Sequence, residues 1–594
     1  MKKTAPPFAE TFRHFLPLKP YFIQNRWPLA IGLLSLFAVD FLQLLIPLVI
    51  KRVFDLLTIK AATAHALFTQ GAIILGIALL IAFFRYVWRL LILGHSKKVE
   101  ENLRSRLYEH LQTLSLSFYH RTKTGDLMAK AINDINAVRM ATGMGIVALT
   151  DGLILGTAAI GFMLFINVKL TLVSLVPAPI IIVLIRILTR RMGTGFEKVQ
   201  KTFSDLTETV RETFAGIRPV KAYGRESWSS QRVEKWGKKY IQANMDLAWA
   251  LALFFPLMAI LTNLGLVIVI WLGGRLTILG DITTGDFVAF TSYLNLLTWP
   301  MMAIGWVTNL IQRGAASMQR INSILEETPE IKDPARSLPA HKINGKIEFK
   351  GLSIQYPGKT DCALTNIRLK IEAGQIIALV GRVGSGKSSL LHLIPRLLEA
   401  PPGVLFMDGR DIRQIPLKTL RKNIGFVTQE AFIFSDTIRN NVLFGRRNLS
   451  QKNLEAALLT ADIFEDIQGF EKGLDTILGE RGITLSGGQK QRLAIARALI
   501  GAPPILILDD SLSMVDTGTE ERILNRMLQT RKHSTTLIVS HRISAISRAD
   551  RIIMLEQGKI IEEGSHEMLL KKRGTYSRLY EKQLLAEELG KGAD

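Results

Sequence analysis

Cysteine is almost absent: the 594 residues contain only Cys362, so no internal disulfide can form and the soluble part of the chain suits a reducing compartment. That thiol reads as a small buried residue. No His/Cys cluster has metal-ligand spacing, which excludes a zinc site of ordinary pattern. Residues 1 to 26 carry Lys2, Lys3, Arg13, Lys19 and Arg26 but no apolar core, so a cleaved signal peptide is not expected. Acidic residues are also in deficit, 51 against 74 Lys and Arg, giving a formal net charge of +23. Such a surplus suits nucleic acid or the basic loops that flank membrane helices. A hydrophobic share of 48% favours the membrane explanation.

Long apolar runs are what the sequence does have. A helix needs about 20 apolar residues to cross a bilayer core, and six stretches qualify: Trp27 to Ile50, Ala66 to Leu93, Met144 to Phe165, Leu170 to Leu188, Leu247 to Leu272 and Phe287 to Leu310. Between them, Gly94 to Gly143 and Thr189 to Asp246 are long and strongly charged, and they read as helices continuing past the membrane. Lys97, Lys98, Arg104, Arg106, Arg190 and Arg191 put both on the cytoplasmic side. Lys51, Arg52 and Lys60 in a short outer loop run against that rule. These features divide the chain into a membrane domain at 1–325, a linker rich in proline at 326–346 and a soluble domain at 347–594. Strand-like runs alternating with helical patterns make the soluble domain α/β with a parallel sheet.

Gly381-Arg382-Val383-Gly384-Ser385-Gly386-Lys387-Ser388 follows the apolar run Ile376 to Val380 and fits the phosphate-loop pattern, with Ser389 beside it. Glycines let backbone N–H groups close on phosphates. Lys387 brings an ammonium to the β/γ oxygens, and Ser388 offers a hydroxyl to Mg²⁺. About a hundred residues on lies Leu485-Ser486-Gly487-Gly488-Gln489, at the start of a basic helical run. A second apolar strand, Ile505 to Leu508, then ends in Asp509, a carboxylate suited to Mg²⁺ through water.

This set, in this order and spacing, resembles the ATP-binding cassette (ABC) family from about Ile347 to Leu579. With the hydrophobic half added, the resemblance covers nearly the whole chain. It implies ATP and Mg²⁺ as the only cofactors, with Tyr356 stacking on adenine, Gln429 near Mg²⁺ and the attacking water, and His541 at the γ-phosphate. A core tyrosine is the competing reading of Tyr356, and His541 taken alone reads as a satisfied surface or core histidine. Ser486, Gly487, Gly488 and Gln489 would close over ATP held by another cassette, so a chain with one cassette and one set of spans is half a transporter. Asp516 matches the loop crossing that interface. Gly479-Glu480-Arg481-Gly482 resembles an exporter-specific loop. Phe118-Tyr119 with Thr124-Gly125-Asp126-Leu127, and Gly216 to Tyr223, resemble the two segments through which exporters dock on their ATPase domains.

Arg85-Tyr86-Val87-Trp88-Arg89, Thr124 to Ala129 and Trp299-Pro300 are similar to bacterial multidrug-resistance-like half-transporters of the MdlA type, which implies export of an amphipathic small molecule, lipid or peptide across the inner membrane by a heterodimer. A regulatory or channel-like ATP-binding subunit is the alternative; a nucleic-acid ATPase is excluded by the spans. One residue departs from the family pattern: Asp510 stands where competent ABC ATPases carry the glutamate that orients or deprotonates the attacking water. Charges inside the spans, Asp40, Arg85 and Asp151, are candidates for a cavity or an internal pair.

Overall fold

The computed structural model describes residues 12–333, 342–356, 361–446, 449–479, 485–531, 533–540 and 542–591. The chain folds as two compact units. The membrane unit takes the chain up to Gln112 and then Lys123–Glu327; the ATPase unit takes Thr113–Thr122 and everything from Thr328.

In the membrane unit, Arg26–Thr58, Ala64–Thr113, Thr124–Ile166 and Thr284–Leu325 are long and apolar enough to cross a bilayer. The expected fourth span is interrupted: Val168–Ser174 ends, and a new helix starts at Pro177 and runs to Ala215. Proline has no N–H to give the preceding turn and a φ already set for a first helical turn, so it begins a helix where the apolar count reads through. The expected fifth span lies on Glu226–Ile268 and the π-helical Val269–Gly273. At about 1.5 Å per residue the 39-residue Pro177–Ala215 helix is roughly twice as long as a bilayer core is thick. It pairs with Glu226–Ile268 through Lys198–Asp246 at 2.8 Å and through the hydroxyls of Thr213 and Ser229 at 3.1 Å. Further π-helical turns occupy Arg89–Leu93, Lys130–Asp134 and Ala141–Gly145.

The charges that run against the outer-loop rule are partly explained here. Lys51 lies within the Arg26–Thr58 helix and pairs with Asp286 at 2.5 Å. Asp55 accepts a hydrogen bond from the Gly285 N–H at 2.9 Å, and Tyr293 donates to the Leu44 carbonyl at 2.9 Å. This approach requires glycine, since a Cβ on Gly285 would stand 2.3 Å from the Lys51 carbonyl oxygen.

In the ATPase unit, β1 (Ile347–Gln355), β2 (Cys362–Ile371), β4 (Leu405–Met407) and β5 (Arg410–Asp411) form an antiparallel sheet in the order β2-β1-β4-β5. The main sheet takes β3 (Ile376–Val380), β6 (Ile424–Val427), β7 (Ile505–Asp509), β8 (Thr535–Val539), β9 (Arg551–Glu556) and β10 (Lys559–Gly564) in the order β10-β9-β3-β8-β7-β6. All its pairings are parallel except β9 with β10. β7 and β8 are buried at every position, as expected for parallel strands covered on both faces. The short helix Leu116–Arg121 belongs to this unit: Ser117 Oγ donates to Glu330 at 2.5 Å, and Ser115 Oγ accepts from the Ile331 N–H at 3.2 Å.

Gly285→Ala forces the Lys51 backbone aside, and overpacking of this kind costs about 1–3 kcal/mol. The purified membrane protein should melt several degrees lower than wild type, whereas Gly71→Ala, with nothing within 4 Å of the added carbon, should not. Equal melting temperatures would show that the two helices are not held at this contact.

Candidate nucleotide-binding site

The carboxyl ends of β3, β8, β7 and β6 lie side by side, and each is followed by residues singled out in the sequence. After β3 the chain turns through Gly381, Gly384 and Gly386 at φ of 154°, 82° and 100°, the last two in the left-handed region that favours glycine. Gly381 and Gly386 are also fixed by space: a Cβ would meet the Leu555 carbonyl oxygen at 2.2 Å and the Ala363 carbonyl oxygen at 2.7 Å. Lys387 begins the helix to Leu393, and its ammonium donates to the carbonyls of Gly381 and Arg382 at 2.8 and 2.9 Å. The loop therefore encircles one buried positive charge.

Ser388 Oγ donates to Asp509 Oδ1 at 3.2 Å, and the Tyr356 and Ser389 hydroxyls are 3.0 Å apart. A cavity of about 420 Å³ is lined by Tyr356, residues 383–389, Gln429, Asp509 and Asp510. Burial holds Asp509 above the usual carboxylate range, opposed by the Ser388 hydroxyl and the charges of His392 and Lys387. Burial likewise holds Lys387 below its ordinary value, opposed by Asp509 and Asp510. An opposite charge would favour the charged form of each, a divalent cation for Asp509 and phosphate for Lys387. The glycine cradle, the serine–aspartate oxygen pair and the ringed ammonium thus fit a nucleoside triphosphate with a hard cation.

Asp510 has a φ of 49°, and its N–H donates to the Val539 carbonyl at 3.0 Å, so its backbone is tied to the neighbouring strand. His541 lies outside the described residues, as do Glu480, Arg481 and Gly482.

Ser486 to Gln489 do not line this cavity. Ser486 caps the Gly487–Leu499 helix in a reciprocal capping box with Gln489, whose side-chain amide also donates to Asp466 at 2.8 Å. Gly488 packs on the backbone of Met514, where a Cβ would lie 3.0 Å from the carbonyl oxygen. The signature and the Ser513–Asp516 loop therefore form one surface, apart from the chain's own phosphate loop. The buried Gln491 accepts from the Met514 N–H at 2.9 Å, and Arg542 donates to the carbonyls of Val515 and Ser513 at 2.6 and 3.1 Å. Neither holding residue was legible in a motif.

The expectation of a buried Cys362 is corrected: the thiol is exposed at the start of β2 and lines the cavity mouth with Asp361. β2 begins at Cys362, so the thiol stands on the strand end that borders the nucleotide cavity, which a one-residue reading cannot sense. Gly558 was also missed. At φ 75° it donates its N–H to the Ser385 carbonyl at 3.2 Å, so the β9–β10 turn supports the phosphate loop; the only signal was the Gln557-Gly558 turn between two strands.

A family model described as the ABC transporter transmembrane region matches residues 29–301, and a second, described as ABC transporter, matches residues 364–513. The chain belongs to the ABC transporter family. It is 35% identical over 578 residues to the probable multidrug resistance ABC transporter ATP-binding/permease protein YheI of Bacillus subtilis, covering 96% of this chain and 98% of that one. The multidrug resistance-like ATP-binding protein MdlA of Escherichia coli is 35% identical, covering 97% and 98%. The solved structure of a bacterial Atm1-family ABC exporter with ATP bound is similar at a TM-score of 0.76 and 26% identity, over 95% of this chain and 98% of that one. The ABC transporter is thus an exporter of the membrane: a helical transmembrane region is followed by a cytoplasmic ATPase domain that hydrolyses ATP coupled to transport.

If the Lys387 ammonium holds phosphate, its loss would remove charge-assisted contacts worth about 1.5–3 kcal/mol, and if the Tyr356 ring stacks on the base, its loss would remove about 0.5–1.5 kcal/mol. Titration of the full-length chain with a fluorescent ATP analogue should show Lys387→Ala weakened by tenfold or more and Tyr356→Ala by less. Equal affinity of both variants and wild type would remove both residues from the site.

Proposed function

We propose that this exporter chain is one half of a heterodimer that moves amphipathic small molecules, lipids or peptides out of the cytoplasm, and that its own phosphate loop forms the slow member of two ATP sites. The observation that carries the reading is Asp510. An aspartate carboxylate stops about 1.5 Å short of where a glutamate would reach on the same backbone, and the hydrogen bond from its N–H to Val539 opposes a compensating shift. A positioned base must stand within hydrogen-bond reach of the proton it takes, and its loss typically costs about a hundred- to ten-thousand-fold in rate.

Binding does not depend on that residue. Gly381, Gly384, Ser385, Gly386, Lys387 and Ser389 would hold the phosphates, and Tyr356 the base. Ser388, with Asp509 through water and Gln429, would hold Mg²⁺, which when bound neutralises phosphate charge. His541 would complete the site from the end of β8. The signature residues Ser486 to Gln489, standing apart from this cavity with the Ser513–Asp516 loop, would close over ATP on the partner's phosphate loop, where the partner supplies a glutamate. A homodimer would have two weak sites; a heterodimer has one slow and one fast.

The docking segments support a second chain as well. Leu116–Arg121 is held within the ATPase unit, while Ile217–Ala222 belongs to the membrane unit and is followed by Tyr223, 79% exposed. On the ATPase unit the exposed rings of Phe432, Phe434 and Phe444 cluster beside Arg497. Ile217–Tyr223 of one chain would rest on such a surface of the other.

Steady-state turnover of the assembled pair separates the two sites. Asp510→Asn should retain most activity, and conversion of the partner's catalytic glutamate to glutamine should abolish nearly all of it. Abolition by Asp510→Asn alone would contradict the asymmetry.

A further inference from the structure

The residues that leave the membrane unit, 328–333, make contacts on two sides within the ATPase unit. On one side they meet the short helix Leu116–Arg121. Ser117 Oγ donates to Glu330 at 2.5 Å, and Arg121 Nη2 stands 3.7 Å from the same carboxylate. The arginine pair is exposed and contributes little, whereas a hydroxyl bonded to a carboxylate is of the stronger kind. Next to it, the buried Ile331 gives its N–H to the Ser115 hydroxyl at 3.2 Å.

On the other side the same stretch is tied to the end of the phosphate-loop helix. The Lys332 carbonyl accepts from Arg396 Nη2 at 3.3 Å, and Asp333 accepts from the Leu417 N–H at 2.6 Å. Arg396 is 2% exposed and follows the Lys387–Leu393 helix closely, its N–H donating to the Leu393 carbonyl at 3.1 Å. Its φ is 50°, a left-handed conformation that a residue with a side chain keeps only where its surroundings fix it. Here they do. Arg421 donates to the Arg396 and Pro395 carbonyls at 2.8 and 3.1 Å, and the Arg396 guanidinium pairs with Glu399 at 3.0 Å. His120 is also near enough to His392, on the phosphate-loop helix, for their charges to interact. A continuous run of contacts thus leads from Ser117 through residues 330–332 to the end of the helix that Lys387 begins.

Along the chain, by contrast, Leu116–Arg121 is set off from its neighbours. Ser115, Thr122 and Lys123 have extended backbones, so the helical course is interrupted both after Gly94–Thr113 and before Thr124–Ala129. Residues at the ends of elements are where a change of angle is absorbed. We infer that residues 328–333 form a clasp that makes Leu116–Arg121 move as one body with the phosphate-loop helix of its own chain, with Glu330 and Arg396 as positioning residues and Ser115 and Thr122–Lys123 as hinges. The binding state of this chain's own ATP site is thereby passed to the helix through the linker. That the helix then drives the membrane unit rests on the docking reading; the clasp itself stands on the hydrogen bonds.

Amide hydrogen exchange tests this on the assembled transporter, purified with its partner and placed in lipid nanodiscs, with and without Mg²⁺ and the nonhydrolysable ATP analogue AMP-PNP. In the unmutated complex the analogue should slow exchange across residues 116–121 by about threefold or more. Glu330→Ala and Ser117→Ala should each cut that effect to below about 1.5-fold, while affinity for the fluorescent ATP analogue stays within about twofold of wild type. Glu330→Gln keeps an acceptor for Ser117 and should retain about half of the response or more. A merely structural contact would speed exchange in the alanine variants without removing the response to nucleotide. An undiminished response in both alanine variants therefore overturns the inference, as does the absence of any response in the unmutated complex. If residues 116–121 respond as expected but Thr124–Ala129, across the hinge, does not, the clasp stands and the docking reading alone fails.

Discussion

Everything at the nucleotide end depends on the parallel pairing of β3, β8, β7 and β6. Because side-chain direction alternates along a strand while all four run the same way, their carboxyl ends open on one edge, and the loops there converge without long connections. The lysine, the hydroxyl of Ser388 and the carboxylate of Asp509 come from segments over a hundred residues apart, yet they are set by four strands whose positions are fixed by hydrogen bonds. The same pairing restricts Asp510. Its N–H continues the β7–β8 hydrogen bonding, so a shorter side chain cannot be offset by moving the backbone without breaking the sheet edge.

The surface carrying the signature is built by different means. Here helix capping, the buried Gln491 and the Arg542 guanidinium hold two loops together, each supplying hydrogen bonds to backbone groups that would otherwise be left without partners. Burial raises Glu520 above the usual carboxylate range, and the Arg542 charge opposes it, so this support is itself a buried ion pair. Such a pair contributes little net stability but is costly to break, which suits a loop that must keep one shape. The phosphate loop and the signature are therefore each held by their own hydrogen bonds on separate surfaces, which is what the proposed sharing of two sites between two chains requires.

Much of this was legible in the sequence because the chemistry demands specific residues at short spacing. The glycines of 381–386, the lysine and serine after them, and the carboxylate ending an apolar strand are close in sequence or carry their own hydrophobic signal. What escaped was the set of contacts made across the fold. Gly558 supports the phosphate loop from a distant turn, and Cys362 proved exposed because of where β2 begins. The fourth span was read through Pro177 because an apolar count is blind to a missing N–H. Asp40, Arg85 and Asp151 were visible as charges in apolar runs, but which of them is satisfied depends on helix facing, and no local pattern encodes it.

The central claim is that the chain contributes one slow site and half of a fast one. Its most direct test is to purify the chain with whatever partner accompanies it in its native membrane, load the complex with ATP and Mg²⁺, and follow the bound nucleotide after a rapid chase with unlabelled ATP. One ATP per two chains should remain bound and unhydrolysed through many turnovers of the other. If both nucleotides convert to ADP and exchange at the same rate, or if the purified complex contains only this chain and hydrolyses at full rate, the account is contradicted.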